Sequence, residues 1–331
     1  MRILMVNDYF GFSAGAFAVA WELSGELAER GHEVAFLCAT ENKAQAGRQT
    51  IDGREVILLH ARTPMRLRPL LTIHRPGLVR RALARAEAFQ PDIVHGLLFH
   101  LHFSFGLVRG LARRGWPVIL QAQDTGLFCP TKYTCQPPDD PARPASALDC
   151  LACQRLRYLP GRASLTRFLV NRHAKAVAAA SESLAGILEA NGLQNVSVIH
   201  AGLDPEKMAG RGWSGERFRA HLGLGGEPLI LFGGRLQKEK GDEAALRALA
   251  LIDPALGARL VIAGRPELFG PRLKRLAAEL DLTDRVVLAG WLGREQMLGA
   301  FRAAKVVLVP SLYPDPFPTI NLEAMALGRP V

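Results

Sequence analysis

The sequence predicts an α/β protein built as two doubly wound domains, and three observations carry that prediction. Short, continuously apolar runs alternate with amphipathic helical stretches from one end of the chain to the other. At 331 residues the chain is long for a single core. The alternation loosens into a polar, Gly-rich stretch at 202–226 and then restarts.

In the first half, strands are expected at Arg2–Val6, Glu33–Cys38, Glu55–His60, Asp92–Gly96, Pro117–Ala122, Ala176–Ala180 and Val196–His200. Most are apolar throughout, as parallel strands covered on both faces should be. Between the first two, Phe17, Ala20, Trp21, Ser24, Leu27 and Ala28 fall on one helical stripe that ends at Gly31. Repeating this βαβ unit places ligands at the carboxyl ends of the strands. After the linker expected at 202–226, strands follow at Pro228–Gly233, Arg259–Ala263, Arg285–Ala289 and Lys305–Pro310. The domains are read as 1–204 and 205–331, the first interrupted by a Cys-containing insertion at about 125–160. A further strand begins at Gly328-Arg329-Pro330-Val331, so the second domain is expected to be truncated.

Composition narrows the function classes. Hydrophobic residues make up 49% and charged residues 22%, ordinary for a soluble globular chain. No apolar run reaches a membrane span of about 18–20 residues, and the N-terminus offers no signal peptide, so a cytoplasmic protein is expected. The net charge is +10. Arg62, Arg66, Arg68, Arg75, Arg80, Arg81 and Arg85 lie in one stretch without an acid among them. Such a patch is either a solvated basic face or a contact for an anionic membrane at the inner face of the plasma membrane. No zinc-finger, RNP or helix-turn-helix pattern accompanies it, so nucleic acid is not expected as a partner.

Two segments carry phosphate and sugar chemistry. After the strand ending at Phe232 comes Gly233-Gly234-Arg235-Leu236-Gln237-Lys238-Glu239-Lys240-Gly241. Its glycines let backbone approach a ligand, and Arg235 and Lys240, five residues apart, can converge on one diphosphate. After the strand Lys305–Pro310, the prolines of Ser311-Leu312-Tyr313-Pro314-Asp315-Pro316-Phe317-Pro318 hold off helix until about Pro318. The amides of Thr319 and Ile320 then sit at a helix N-terminus that suits an anion. Asp315 in the loop and Glu323 on the helix can face different hydroxyls of one polyol.

Taken together, the GGR…KG loop and PSLY-D-P-F-P-x3-LEAMA-GRPV resemble the group-1 (family 4) retaining glycosyltransferases of GT-B fold. Further matches are Ala14-Gly15-Ala16 before a helix, Arg30-Gly31-His32-Glu33-Val34, Pro91-Asp92-Ile93-Val94-His95 and Ala201-Gly202-Leu203-Asp204. The resemblance implies two Rossmann-like domains facing across a cleft, with the nucleotide-diphosphate-sugar donor held mainly by the second and a glycan or lipid-linked acceptor by the first. It implies that Arg235 and Lys240 neutralise the donor diphosphate, that Glu323 holds ribose hydroxyls, that Asp315 faces the transferred sugar and that Gly15 and Gly234 let loops approach it. It implies a retaining transfer needing no cofactor, and a role in envelope polysaccharide or glycoconjugate synthesis. The chain departs from the family pattern in three places. Asp315 stands for a Glu, Phe17 for another Glu, and Gln123-Asp124 for a His-Asp pair near the reacting sugar. Gln123 can hydrogen-bond but cannot serve as an acid or base. A sugar-nucleotide epimerase, a phosphorylase and a non-catalytic sugar-nucleotide-binding protein are the rival readings.

Cys129, Cys135, Cys150 and Cys153 form C-x5-C-x14-C-x2-C in a Pro-rich segment. A structural Zn²⁺, free thiols, an Fe–S cluster and disulfides all fit that spacing, with zinc first among them. His95, His100 and His102 surround one strand end, either as packing residues or, for His95 with Gln123 and Asp124, on the acceptor or sugar side. Trp21 and Trp291 are expected in the core, and Met325 in helix packing.

Overall fold

The structure is a computed structural model that describes residues 1–11, 15–99, 101–131, 143–210, 212–234, 238–313 and 315–331. Arg235, Cys135 and His100 lie outside the described residues. The fold divides into two compact units, Met1–Ala201 and Gly202–Val331.

In the first unit the strands are β1 (Arg2–Asn7), β2 (Glu33–Thr40), β3 (Gly47–Ile51), β4 (Arg54–His60), β5 (Ile93–Gly96), β6 (Val118–Ala122), β7 (Ala176–Ala179) and β8 (Val196–Val198). They form one sheet in the order β3-β4-β2-β1-β5-β6-β7-β8, parallel except for β3. The strands show why they read as unbroken apolar runs: Ile3 to Asn7 are all buried, because helices cover both sheet faces. On one face Phe17, Ala20 and Trp21 of the helix Gly15–Glu29 pack on Ile3, Met5, Val34 and Phe36. Phe17, which replaces a family carboxylate, is therefore a core ring, with its centroid 5.7 Å from that of Phe36. Ala28, expected on the same buried stripe, is exposed, so the stripe runs out one turn earlier.

β3 was not expected. Its side chains are mostly exposed and polar, so it has no hydrophobic pattern to betray it. It is an edge strand antiparallel to β4, joined by Asp52-Gly53 with φ of 48° and 74°. That dipeptide is the sequence signal for a tight hairpin turn.

The second unit holds β9 (Leu229–Gly233), β10 (Arg259–Ala263), β11 (Val286–Gly290) and β12 (Val306–Leu308) in the parallel order β11-β10-β9-β12. Leu229 and Leu231 of β9 face a core with Phe218 and Phe301, while Ile230 and Phe232 face a second core with Leu246 and Leu273. The stretch expected as a linker instead contains the helices Pro205–Ala209 and Gly215–His221. Ser214 caps the latter, and Phe218 anchors it at 1% exposure. One apolar residue amid polar ones does not give a periodic signal, but its burial decides the structure.

Candidate functional site

The carboxyl edge of the second sheet is where the motifs meet. From β9 the chain moves outward to β10 and β11, then returns to the other side of β9 as β12. The strand order reverses between β9 and β12, and an open parallel sheet leaves a crevice at such a point. The turn after β9 and the loop after β12 are stitched together there. Leu312 N donates to Glu239 O at 2.8 Å, and Lys240 pairs with Asp315. Gly241 adopts φ +77°, and a Cβ there would fall on the Pro310 carbonyl. Glycine is thus required both for the left-handed turn and for the close approach of two backbones.

Lys240 and Asp315, assigned separate partners from sequence, share one ion pair. Ser311 Oγ donates to the same Asp315 oxygen at 3.0 Å. The ammonium also lies over the Tyr313 ring, 5.1 Å from its centroid. Asp315 and Ser311 hold the lysine at the crevice rather than leaving it to sample solvent. Gly234, at φ +137°, leaves open space where a Cβ would stand.

The helix Thr319–Ala326 starts one residue later than expected, with Pro318 as its cap. Pro318 offers no side-chain acceptor, and its carbonyl takes the Asn321 amide at 3.0 Å. The Asn321 Oδ1 is buried without a partner among the described residues. Gly233 allows this helix to close on β9, since a Cβ there would stand 3.1 Å from Ile320 Cδ1 and 2.7 Å from Met297 Cε. Glu323 is half-buried one turn further on. Burial raises its carboxyl to about 7, and the Arg294 charge offsets this only in part. Thr319, Ile320, Asn321 and Glu323 thus form an edge of amide donors, a buried acceptor lacking its donor, and a carboxyl that gains by receiving hydroxyl hydrogen bonds.

Two expectations fail on this unit. Trp291 is 49% exposed, with the Arg265 guanidinium 5.2 Å from its ring centroid. Met325 is 65% exposed, on the outward side of its helix. Each sits in an apolar sequence neighbourhood, but at a strand end or on an exposed helix face.

The first unit has its own polar edge at the carboxyl ends of β1, β5 and β6. Asp8, not singled out from sequence, is fully buried. Its carboxylate accepts the amides of Leu101, His102 and Phe103 at 2.7, 2.8 and 2.7 Å. The only sequence signal is an Asn-Asp pair at the end of an apolar strand. Asp124 accepts the Gly126 amide at 2.7 Å and so caps the turn Thr125–Leu127. Gln121, Gln123 and Asp124 line a small pocket with Leu97, Phe99 and Leu127. In it Gln121 Oε1 and Gln123 Nε2 are buried without partners among the described residues. His95 lies beside Gln121, and desolvation lowers its pKa to about 4, leaving a neutral ring at pH 7. His102 is buried and shares a hydrogen bond of 2.9 Å with Thr63 Oγ1, which makes it a packing residue. Gly15 opens the helix Gly15–Glu29.

Of the seven arginines between 62 and 85, three are used internally. Arg68 donates to Pro130 O, Arg75 to Thr63 Oγ1 and Arg62 O, and Arg81 to His60 O. Arg62, Arg66, Arg80 and Arg85 are exposed. No helix among the described residues is long and apolar enough to cross a membrane. Cys129 is buried just after the turn Thr125–Leu127, Cys150 and Cys153 are partly buried on the helix Ala147–Gln154, and Cys38 is buried in β2.

Comparison with known proteins agrees with this architecture. Residues 13–207 match the family described as Glycosyltransferase Family 4, and residues 215–331 match Glycosyl transferases group 1. The D-inositol 3-phosphate glycosyltransferase of Mycolicibacterium smegmatis is 37% identical over 141 residues, covering 41% of this chain and 31% of that protein. The chain spans about a third of the length of such curated relatives. Among solved structures, sucrose-phosphate synthase from Thermosynechococcus elongatus has a TM-score of 0.73 at 21% identity, covering 100% of this chain and 80% of that one. Anabaena HepE, solved with UDP and glucose, has a TM-score of 0.69 at 18% identity with the same coverages. At those identities the likeness speaks to the fold, while the family matches span both units: the chain belongs to the group-1, family 4 glycosyltransferases of GT-B fold.

Proposed function

We propose that this chain carries the donor and acceptor sites of a retaining glycosyltransferase. It would move a sugar from a nucleotide-diphosphate-sugar to a glycan or lipid-linked acceptor in envelope polysaccharide or glycoconjugate synthesis. The observation that carries the reading is the convergence of Lys240, Asp315 and the helix Thr319–Ala326 where the strand order of the second sheet reverses. Lys240, with Arg235, neutralises the diphosphate and stabilises it as a leaving group, while the amides of Thr319 and Ile320 meet phosphate oxygens. Glu323 accepts the ribose hydroxyls, and Asp315 orients Lys240 while facing the sugar. The solved complex of HepE with UDP and glucose supports a uridine donor as the first to try. Retention then follows from front-face substitution. The bond from anomeric carbon to leaving phosphate breaks as the acceptor oxygen bonds on the same face, and a phosphate oxygen takes the acceptor proton. No cofactor is assigned to this transfer. His95, neutral at pH 7 and low in basicity, is assigned to packing and orientation rather than proton abstraction.

The test is a nucleotide-sugar panel scored for release of nucleoside diphosphate. Release that depends on an added acceptor and is lost in Lys240→Met supports transfer. An isomerised donor would indicate an epimerase, and binding without turnover a non-catalytic protein.

A peripheral site at the inner membrane surface is the second part of the reading. It is favoured by Met65, Leu67 and Leu70, each more than half exposed, interleaved with exposed Arg62 and Arg66. Reversing Arg62, Arg66 and Arg80 to Glu should abolish sedimentation with phosphatidylglycerol vesicles. Unchanged sedimentation would end this part of the proposal.

A further inference from the structure

Two arginines of the first unit are drawn out of water without a counter-ion. The short helix Arg68–Leu71 and the helix Arg162–His173 meet against the segment that follows β6. Arg162 is buried at 3% exposure. Its Nε donates to Pro69 O at 3.1 Å, Nη1 to Phe128 O at 3.1 Å and Nη2 to Thr72 Oγ1 at 3.0 Å. All three acceptors are neutral. Arg68, next to Pro69 in the chain, is half-buried and donates Nη2 to Pro130 O. The two guanidinium groups thus grip the same segment, 128–130, on carbonyls two positions apart. Among the described residues neither forms an ion pair with a carboxylate.

Such a pair is costly as a structural tie alone. Burial lowers the pKa of Arg162 to about 10, with the Arg68 charge adding to the effect and the Cys129 sulfur opposing it. Burial lowers that of Arg68 as well. Asp8 and Asp124 are the carboxylates whose charge reaches Arg68, and both are engaged elsewhere. Asp8 holds the amides of Leu101, His102 and Phe103, and Asp124 holds that of Gly126. A guanidinium that only bridges carbonyls gains nothing from a second positive charge beside it. An arriving anion removes both the desolvation cost and the repulsion. Arg68 keeps Nε and Nη1 without partners among the described residues, so it has donors left to offer. Pro130 lies just past the turn Thr125–Leu127, at the carboxyl end of β6. Open parallel sheets bind their ligands along that edge.

We propose, resting on the transferase reading above, that Arg68, backed by the buried charge of Arg162, forms a subsite for a phosphoryl group carried by the acceptor. The free nitrogens of Arg68 take phosphate oxygens by charge-assisted hydrogen bonds. Arg162 is too enclosed to touch a ligand and acts as a positioning residue. It ties the start of the short helix to the segment after β6 through Pro69 O and Phe128 O, and adds its charge at close range. Arg62 and Arg66, exposed on the chain leading into that helix, steer an anion toward it. A neutral sugar offers only hydroxyls, which leave the two charges uncompensated. Phosphorylated acceptors are therefore preferred over neutral ones.

The experiment titrates the full chain with inorganic phosphate by calorimetry in a Lys240→Met background, which removes the proposed donor contact. Adding Arg68→Gln keeps a donor for Pro130 O without the charge, and adding Arg68→Lys keeps the charge. Phosphate affinity is expected to fall about tenfold or more with Gln and to be largely kept with Lys. Two probes then separate the sources. Glucose 6-phosphate stands for a soluble phosphorylated acceptor, and phosphatidylcholine vesicles carrying polyprenyl phosphate stand for a lipid-linked one. Binding of either that is lost with Arg68→Gln supports the subsite and names its source. No phosphate binding in the Lys240→Met background, or equal affinity with Gln and Lys at position 68, overturns it. Arg68-dependent phosphate binding with neither probe bound marks an adventitious ion only, and overturns it too. The donor side is scored separately, by UDP affinity in wild type against Lys240→Met, so that reading can fail while this subsite stands.

Discussion

Glu323 carries a stability cost that pH should expose. Its carboxyl is raised from 4.5 to about 7 by burial, so between those values the folded chain binds a proton that the unfolded chain has lost. The slope of stability with pH is then negative. The contribution is fully present below about 4.5 and is lost as pH rises through about 7. The displacement is worth about 3 kcal/mol at most, and about 2 kcal/mol once the water still reaching this half-buried group is counted. Glu323→Gln is neutral at every pH and close in shape to the protonated acid. At pH 5 the variant and the wild type should match; at pH 8 the variant should be more stable by about 2 kcal/mol, or about thirtyfold in opening equilibrium. Two units unfolding separately blur a single denaturation curve. The assay is therefore hydrogen exchange of the Leu229–Gly233 amides in the second unit, compared between the two proteins at each pH. A difference that is the same at pH 5 and pH 8, or a variant less protected at pH 8, would refute the burial account. The same substitution should weaken nucleotide-sugar binding, the expected exchange of stability for a site shaped to receive hydroxyl donors.

Other perturbations test the frame around the site. Gly241→Ala forces a Cβ onto the Pro310 carbonyl at a left-handed φ; a loss of about 2–4 kcal/mol is expected by denaturation, with weaker nucleotide binding beyond it. Asp8→Ala leaves the amides of residues 101–103 buried without their acceptor; the expected cost is about 3–5 kcal/mol, read from the thermal midpoint of the first unit. Asp315→Asn removes the charge that holds Lys240; the affinity for inorganic diphosphate should rise or hold, while turnover should fall at least tenfold as the lysine loses its fixed orientation.

Parallel strands were legible because burial on both faces writes itself as an unbroken apolar run: β1, β2, β9 and β10 appear within one or two residues of the expected bounds. β3 and the helix Gly215–His221 were not, because each is mostly polar and exists through a hairpin turn or a single buried Phe. The site divides along the same line. Lys240, Asp315 and Glu323 could be named from motif and spacing, since a helix start after a proline-rich loop is a local feature. That Lys240 would rest on Asp315, 75 positions away, could not, because it depends on two strand ends becoming neighbours in the sheet order.

That neighbour relation also explains why glycine, rather than a charged residue, is the least replaceable part of the second-unit site. The ion pair is largely buried, and the desolvation of both charges offsets much of their Coulomb attraction. Its geometry is imposed instead by backbone. Leu312 N on Glu239 O and the near contact of Gly241 with Pro310 fix the turn after β9 against the loop after β12. Once those segments are locked, the side chains of Lys240, Ser311 and Asp315 have little freedom left to lose on meeting a ligand. Substituting Lys240 removes one charge from a formed crevice, whereas substituting Gly241 moves both segments that form it. The two variants should therefore separate: Lys240→Met should lose nucleotide affinity with normal exchange protection in β9, and Gly241→Ala should lose both.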